Sequence, residues 1–388
     1  MTSKPIYREG ENFFVPSFLV TLDGTRLKAG ILRDVLSVTY RDSVSDKGEF
    51  NEFDSFEMTI NNWDADAQKF KYEPHSSPDY KGIFEPGREL DLSMGYFNNM
   101  RLMLRGTIET LEPNFTESGP ATLAIRGHNA LKKFQKRQHT MKWEKKKDSE
   151  IAREIGEQRE SEDRPGLGVP VRVDESAQKR EPAEFVFMHN QFDIVFLLQR
   201  ARRRGYAVHL RKDPNGDEYV HFGPSQDLRH VEYELEWGRS LSSFRPTFST
   251  ANQASSVTVR GWDRATQKTI KGKARIPDDC AFNSDQAQVT TSASQIEEVV
   301  TDRPLRNEQE ARELAKNILT GIASQLIKGS GSTIGLPDLR AGSRVVIKGL
   351  GPRYSGSYFV TSSAHTIDSN GYRTTFESRR EGPVEGGK

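Results

Sequence analysis

Residues able to do chemistry are few in this sequence, and their spacing suits no reaction. The eight histidines are His75, His128, His139, His189, His209, His221, His230 and His365. Two imidazoles on one element share a metal when spaced as HxH or HExxH, and neither spacing occurs. His209 and His221 are the pair that a hairpin would set face to face, where a surface or structural role suits them. The one cysteine, Cys280, lies in PDDCAF with no evident base beside it, which reads as an inert thiol. A single cysteine also excludes an intramolecular disulfide framework and multi-cysteine zinc or iron–sulfur sites. There is no GxSxG elbow and no phosphate-cradling loop: Gly329-Ser330-Gly331 lacks the Lys-Ser/Thr that would follow and reads as a linker. The carboxylate pairs Asp278-Asp279 and Glu297-Glu298 sit in polar stretches without the apolar surroundings that raise a catalytic pKa. The expectation is a protein with no catalytic set, no cofactor and no metal, hence not an enzyme.

One stretch suggests polyanion contact. Residues 132–147 read KKFQKRQHTMKWEKKK, with Phe134 and Trp143 set among the lysines as base-stacking side chains are. Globally, 56 Lys+Arg face 55 Asp+Glu, a formal charge of +1, whereas proteins that grip nucleic acid usually carry a clear basic excess. The run therefore reads as a solvated domain junction, with Lys145, Lys146 and Lys147 as candidate contacts acting by charge. Recognition of nucleic acid by sequence is not expected.

The elements that must position these residues are mostly strands. In residues 54–64, Phe56, Met58 and Ile60 alternate with polar Glu57 and Thr59, the mark of a half-buried strand. Similar runs at 16–24, 31–43, 89–97, 100–115 and 121–129 predict a first small β-barrel over 1–134. Asn98-Asn99 offers a hairpin turn, and 65–88, with Pro74, Pro78 and Pro86, reads as an excursion loop. Residues 135–230 predict an α/β unit: a helix over 148–158 capped by Asp148, a helix from Asn190 with Ile194, Leu197, Leu198 and Ala201 inward and Gly205 at its end, then a hairpin about Asn215-Gly216. A second barrel is predicted over 231–388. It holds a polar arm at 264–296, a helix over 307–322 begun by Asn307 and Glu310, a hairpin at Asn370-Gly371 and a flexible tail from 381. The fold class is thus mainly β with an α+β insert: two similar small barrels and a helix–hairpin domain. The long stretches 65–88 and 264–296 are expected to be interface elements, ordered chiefly on assembly.

A local echo links the two strand-rich regions. Residues 121–134, ATLAIRGHNALKKF, and 255–268, SSVTVRGWDRATQK, both run strand, Arg-Gly, aromatic-type residue, Asn/Asp. If the strands are equivalent, Arg126-Gly127 and Arg260-Gly261 occupy matching places, with glycine where a side chain would foul the turn. These four are candidate interface residues.

Three stretches carry a resemblance. They are QFDIVFLLQRARRRGYAVHLR at 191–211, VTVRGWDRATQKTIKGKA at 257–274, and the series RNEQEARELAKNIL, GSGSTIGLPDLRAGSRVVIKGLG and SGSYFVTSSAHTIDSNGYRTTFESRR. In order and spacing they resemble the phage late control protein D family and the N-terminal hub part of VgrG spike proteins, over about residues 16–380. The resemblance implies a homotrimeric baseplate hub with two barrels per subunit. Three subunits then offer six similar positions to a hexameric tail tube and threefold symmetry to a trimeric spike. It implies contacts with other baseplate proteins and with tape measure or cargo. The sequence stops without the barrel and needle that follow the hub in VgrG, so the spike is expected on a separate chain. A signal peptide is not expected, because residues 1–10 lack an apolar core. Nor is a membrane span, because no apolar run approaches ~18 residues. Synthesis in the bacterial cytoplasm and assembly into a phage tail or injection particle follow. The other class left open is a β-rich carbohydrate or cell-wall binding module of a phage-like particle, and Trp63, Trp143, Trp237 and Trp262 are scattered for that.

Overall fold

The computed structural model describes residues 4–5, 13–43, 53–73, 82–97, 99–117, 119–157, 166–173, 183–204, 207–213, 217–223, 233–251, 253–263, 267–276, 296–301, 308–323, 325–341 and 343–380. Expectations placed on His75, Asn98, Gly205, Asn215-Gly216, His230, Asp278-Asp279, Cys280, Asn307 and the tail from 381 fall outside these residues.

The chain is mainly β with an α+β insert. Its largest element is a 14-stranded sheet. Strand Val35–Ser43 pairs antiparallel with Ser55–Asn61; the order continues through Thr122–Asn129, Asn99–Asn114 and Glu89–Tyr96 to Pro16–Leu22. The inward residues of these strands, among them Met58, Ile60, Leu92, Met94, Ile108 and Ile125, form one buried cluster. The alternation of Phe56, Met58 and Ile60 is what builds it: those three are at most 3% exposed. From the other end of the chain, Gly356–Asp368 pairs with Gly371–Arg380, which pairs with Ile327–Ile334 and then Leu241–Phe248. Arg344–Lys348 and Tyr233–Glu236 lie on the opposite flank. Leu235, Val345, Ile347, Tyr358 and Val360 fill this second core.

The two regions are one sheet because Gly356–Asp368 is long enough to serve both. Its start pairs with Arg344–Lys348, and its later part, Ser362 to Ile367, pairs with Ser43 to Val38. The turn at its end is set by Asn370-Gly371 as expected: Gly371 has φ 102° and Asp368 Oδ1 accepts from the Asn370 N–H at 2.7 Å.

Several local expectations change. Gly329-Ser330-Gly331 is no linker; it lies within strand Ile327–Ile334, where the rings of Phe244 and Phe376 occupy the space its glycines leave. The arm at 264–296 contains strand Lys268–Arg275, which pairs with Ser256–Asp263, itself parallel to Glu297–Val300. This separate three-stranded sheet packs Val257, Val259 and Ala274 against Ala315 and Leu319 of helix Glu308–Ala323. The excursion at 65–88 is anchored on both sides: Trp63–Asp64 pairs with Lys69–Phe70, Tyr72 and Phe84 are buried in the first core, and Arg88 donates to the Gly82 and Ile83 carbonyls.

In the insert, strand Gln138–Lys146 pairs with Ala183–Phe192, and helices Asp148–Glu157 and Asp193–Arg204 share a core with them. Ile194, Leu197 and Ala201 face inward as expected. Asn190 does not cap the second helix. It stands in the strand with φ 43°, and the helix begins at Asp193. Asp148 is the first residue of its helix, and its carboxylate meets the Arg200 guanidinium at 2.5 Å. The backbone register sets His209 opposite His221.

The helix Glu308–Ala323 approaches its sheet closely at one glycine. A Cβ on Gly272 would lie 2.2 Å from the Ala311 carbonyl carbon, a backbone atom that no rotamer change can move. Gly272→Ala should therefore lower unfolding stability by about 1–3 kcal/mol, the usual cost of overpacking, read as a lower denaturation midpoint; an unchanged midpoint would contradict this packing.

Candidate assembly surfaces and a buried polar seam

Where strand Val35–Ser43 meets Gly356–Asp368, the interior turns polar. Asp42, Ser363 and His365 are 9%, 3% and 0% exposed. Ser363 donates to Asp42 Oδ1, and Ser363 Oγ lies 3.2 Å from His365 Nε2. The three side chains of a hydrolase are thus in one place, in the wrong order. The Leu339 carbonyl, 3.1 Å from His365 Nε2, can only accept, so this nitrogen carries the hydrogen. It has no lone pair to take the serine proton, which already points to Asp42. Nδ1 accepts from the Tyr372 hydroxyl at 3.2 Å or the Thr374 hydroxyl at 3.1 Å. A general base would need the opposite tautomer and a path for substrate. What this arrangement does is satisfy buried polar atoms.

Arg340 ties the same place to a third segment. Its Nη2 donates to the Leu102 carbonyl at 2.8 Å, Nη1 to Met103 at 3.1 Å and Nε to Pro337 at 3.1 Å, and its guanidinium lies 5.2 Å from the Tyr40 ring centroid. The next residue, Ala341, gives its N–H to both Asp42 oxygens at 3.3 Å. Tyr96 donates to the Gly335 carbonyl at 3.0 Å. Burial, reinforced by Asp54, pushes the Asp42 carboxyl up to about 6 against the pull of Arg340. Burial and the nearby Arg340 charge hold His365 down at about 3, so it is neutral at ordinary pH. Burial likewise raises Tyr372, which stays a donor.

The interface candidates read from sequence do not come together. Arg126 lies on strand Thr122–Asn129 between Glu57, 3.1 Å away, and Glu112, so it is paired within its own sheet. Gly127 sits at a register shift where its neighbour's Thr107 carbonyl and the Phe56 ring leave no room for a Cβ. Arg260 and Gly261 lie on Ser256–Asp263, in the separate three-stranded sheet, opposite Lys271 and Ile270. The Arg-Gly echo therefore marks strands of two different sheets, not equivalent places in two barrels. Gly127 marks a register shift, whereas Ser256–Asp263 pairs with Lys268–Arg275 through Gly261 without one, so the shared letters fix no common geometry and sheet membership is decided by distant partners.

The basic run is ordered structure rather than a junction. It forms a 3-10 turn, Ala130–Phe134, and strand Gln138–Lys146. Phe134 and Trp143 are core residues, 7% and 3% exposed, and Trp143 stacks on Phe196 with centroids 5.4 Å apart, so neither is offered to a base. Lys146 pairs with Glu154, and the Lys147 N–H donates to Glu150 at 2.8 Å, while Lys145 is exposed with φ 52°. Sequence reasoning missed the seam; Leu339-Arg340-Ala341 entered only as part of the stretch GSGSTIGLPDLRAGSRVVIKGLG that carries the family resemblance.

A family model described as the Alg8 N-terminal domain matches residues 17–369, and the chain belongs to that family. No curated protein matches. Among solved structures, the fold is similar to the 43 kDa tail protein of prophage MuSo2 from Shewanella oneidensis, with TM-score 0.63 and 15% identity over 94% of this chain and 98% of that one. It is similar to the tail protein of Neisseria meningitidis MC58, with TM-score 0.62 and 12% identity over 95% and 97%. A prophage tail protein of Listeria monocytogenes EGD-e aligns with TM-score 0.51 and 12% identity over 95% of each chain. At these identities the likeness establishes a shared fold.

The seam makes a signed pH prediction. Unfolded His365 takes a proton below about 6.5, whereas folded His365 refuses it down to about 3. Its contribution is thus present above 6.5 and lost as pH falls toward 3. Asp42 runs the other way: its contribution is present below about 4 and lost as pH rises through about 6. Between pH 4 and 6 the two slopes oppose one another. In His365→Gln only the histidine slope goes, so the stability gap between wild type and variant should widen by about 3 kcal/mol from pH 4 to pH 6, two pH units at ~1.4 kcal/mol each. A gap independent of pH in denaturant titrations would show that His365 is not held neutral.

Proposed function

We propose that this chain is the structural, non-enzymatic central hub of a contractile phage tail or contractile injection baseplate, similar to the late control protein D family and to the hub part of VgrG. In this reading it forms a trimeric ring that adapts a hexameric tail tube to a trimeric spike and contacts other baseplate proteins. The observation that carries the proposal is the likeness to two phage-type tail proteins along nearly the whole of both chains.

The sheet order supports the symmetry argument. Apart from two two-residue edge pieces, six strands of the 14-stranded sheet come from the first region and six from the last. Two six-stranded units per subunit would present six related positions in a trimer, which a hexameric tube can match while the threefold axis matches a spike. We assign the units as 1–134 and 231–388, with 135–230 as an insert between them. The second region also carries its own sheet and helix, 256–323, as an addition.

Static light scattering with the purified chain should give three times the 43.9 kDa chain mass, and mixing with the cognate tube protein should yield one stoichiometric ring complex. A monomer that binds cell-wall glycan instead would replace the hub with a binding module.

A further inference from the structure

The small sheet of Ser256–Asp263, Lys268–Arg275 and Glu297–Val300 has one face covered by helix Glu308–Ala323; the other buries Ser256 and Thr258 and, among the described residues, exposes its Arg260–Trp262 end. Alternation sends Val257, Val259, Ile270 and Ala274 to the helix, each at most 5% exposed. The opposite parity sends Arg260, Trp262, Lys271, Lys273 and Arg275 outward. Trp262 is 59% exposed, and Val299 on the third strand is 48% exposed. The one described carboxylate on this face, Glu297, is taken by Lys273 at 2.8 Å and by the Thr258 hydroxyl. Arg260 and Lys271 stand directly opposite each other in the register. Like charges in that position cost stability unless an anion lies against them. Glu297 is also held by the charge of Lys271, so among the described residues the face carries more cations than carboxylates beside exposed apolar side chains, the composition of a protein contact rather than of a nucleic-acid track.

A complementary surface exists elsewhere on the same chain. At the end of the hairpin Asn99–Asn114/Thr122–Asn129, Phe115 is 61% exposed and touches Phe70 at 5.2 Å; Phe70 is 38% exposed and touches Trp63 at 5.3 Å. An exposed aromatic cluster of this kind is a surface that expects cover. Close to it in the chain are Asp66 and Glu117, both exposed, with one exposed cation, Lys69, beside Phe70.

We propose that these two surfaces face each other between neighbouring copies of the chain: the Arg260–Lys271–Trp262 face of one subunit covers the Phe70–Phe115 tip of the next, with Asp66 and Glu117 against the cations. The contact is heterologous, head to tail, so repetition closes a ring when the rotation per step allows. The proposal rests on the hub reading for the existence of a ring, and adds which surfaces build it.

The test is a charge swap read by sedimentation. Arg260→Glu with Lys271→Glu should weaken trimer formation by about tenfold or more, and so should Asp66→Lys with Glu117→Lys, because like charges then meet across the contact. The subunit carrying all four changes should recover assembly to within about threefold of wild type. The milder Arg260→Gln with Lys271→Gln, checked by circular dichroism, guards against a folding defect and should weaken assembly in the same direction. Trimers unaffected by either reversed pair would overturn this contact and leave the hub reading standing. Loss in both pairs without recovery in the combination would also overturn it, since the surfaces would then have other partners. A wild-type chain that stays monomeric would sink the ring and this contact together.

Discussion

The constraint on which the structure turns is the Asp42 carboxyl. It is buried, 9% exposed, where an unsatisfied polar group costs several kcal/mol. Besides the Tyr40 hydroxyl on its own strand, its donors come from remote parts of the chain: the Ser363 hydroxyl on strand Gly356–Asp368, and the Ala341 N–H on the loop entering Arg344–Lys348. That loop is fixed in turn by Arg340, which caps carbonyls of Leu102 and Met103 in the first region. No one of these remote contacts can form unless the first and last regions meet in one register. A shift by a single residue would turn His365 and Ser363 to the opposite face and strand Asp42.

The consequence is mechanical. Gly356–Asp368 pairs with neighbours from both regions, and polar atoms lock it where the two meet. A subunit built this way carries its two six-stranded regions as parts of one hydrogen-bonded sheet. For the proposed hub, such a join holds the two regions in one fixed relation, as a flexible linker would not. The chemistry of the seam is spent on holding, which is why a serine, a histidine and an aspartate within reach of each other imply no hydrolysis here.

Much of the scaffold was legible in the sequence, for physical reasons. The strand of Phe56, Met58 and Ile60 alternates large apolar with polar side chains, and Ala311, Ala315 and Leu319 mark a helix face at 0% exposure. Strand Lys268–Arg275 escaped notice because its inward side is Ile270, Gly272 and Ala274: two of the three are small, so alternation is faint among four charged neighbours. Gly329 and Gly331 read as linker because the rings that fill their space come from Phe244 and Phe376, distant in sequence. The seam follows no spacing rule, since Asp42 and Ser363 are 321 residues apart. Arg126 and Arg260 show the converse: near-identical local patterns that long-range pairing sends to different sheets.

The central claim is that one chain, repeated three times, presents six related sheet regions to a tube. Electron cryo-microscopy of the assembled hub tests it most directly. The account predicts a threefold ring in which the six-stranded regions of 16–129 and 233–380 alternate around the tube-facing side. A ring of another symmetry, or one in which only a single region per subunit reaches that side, would contradict it.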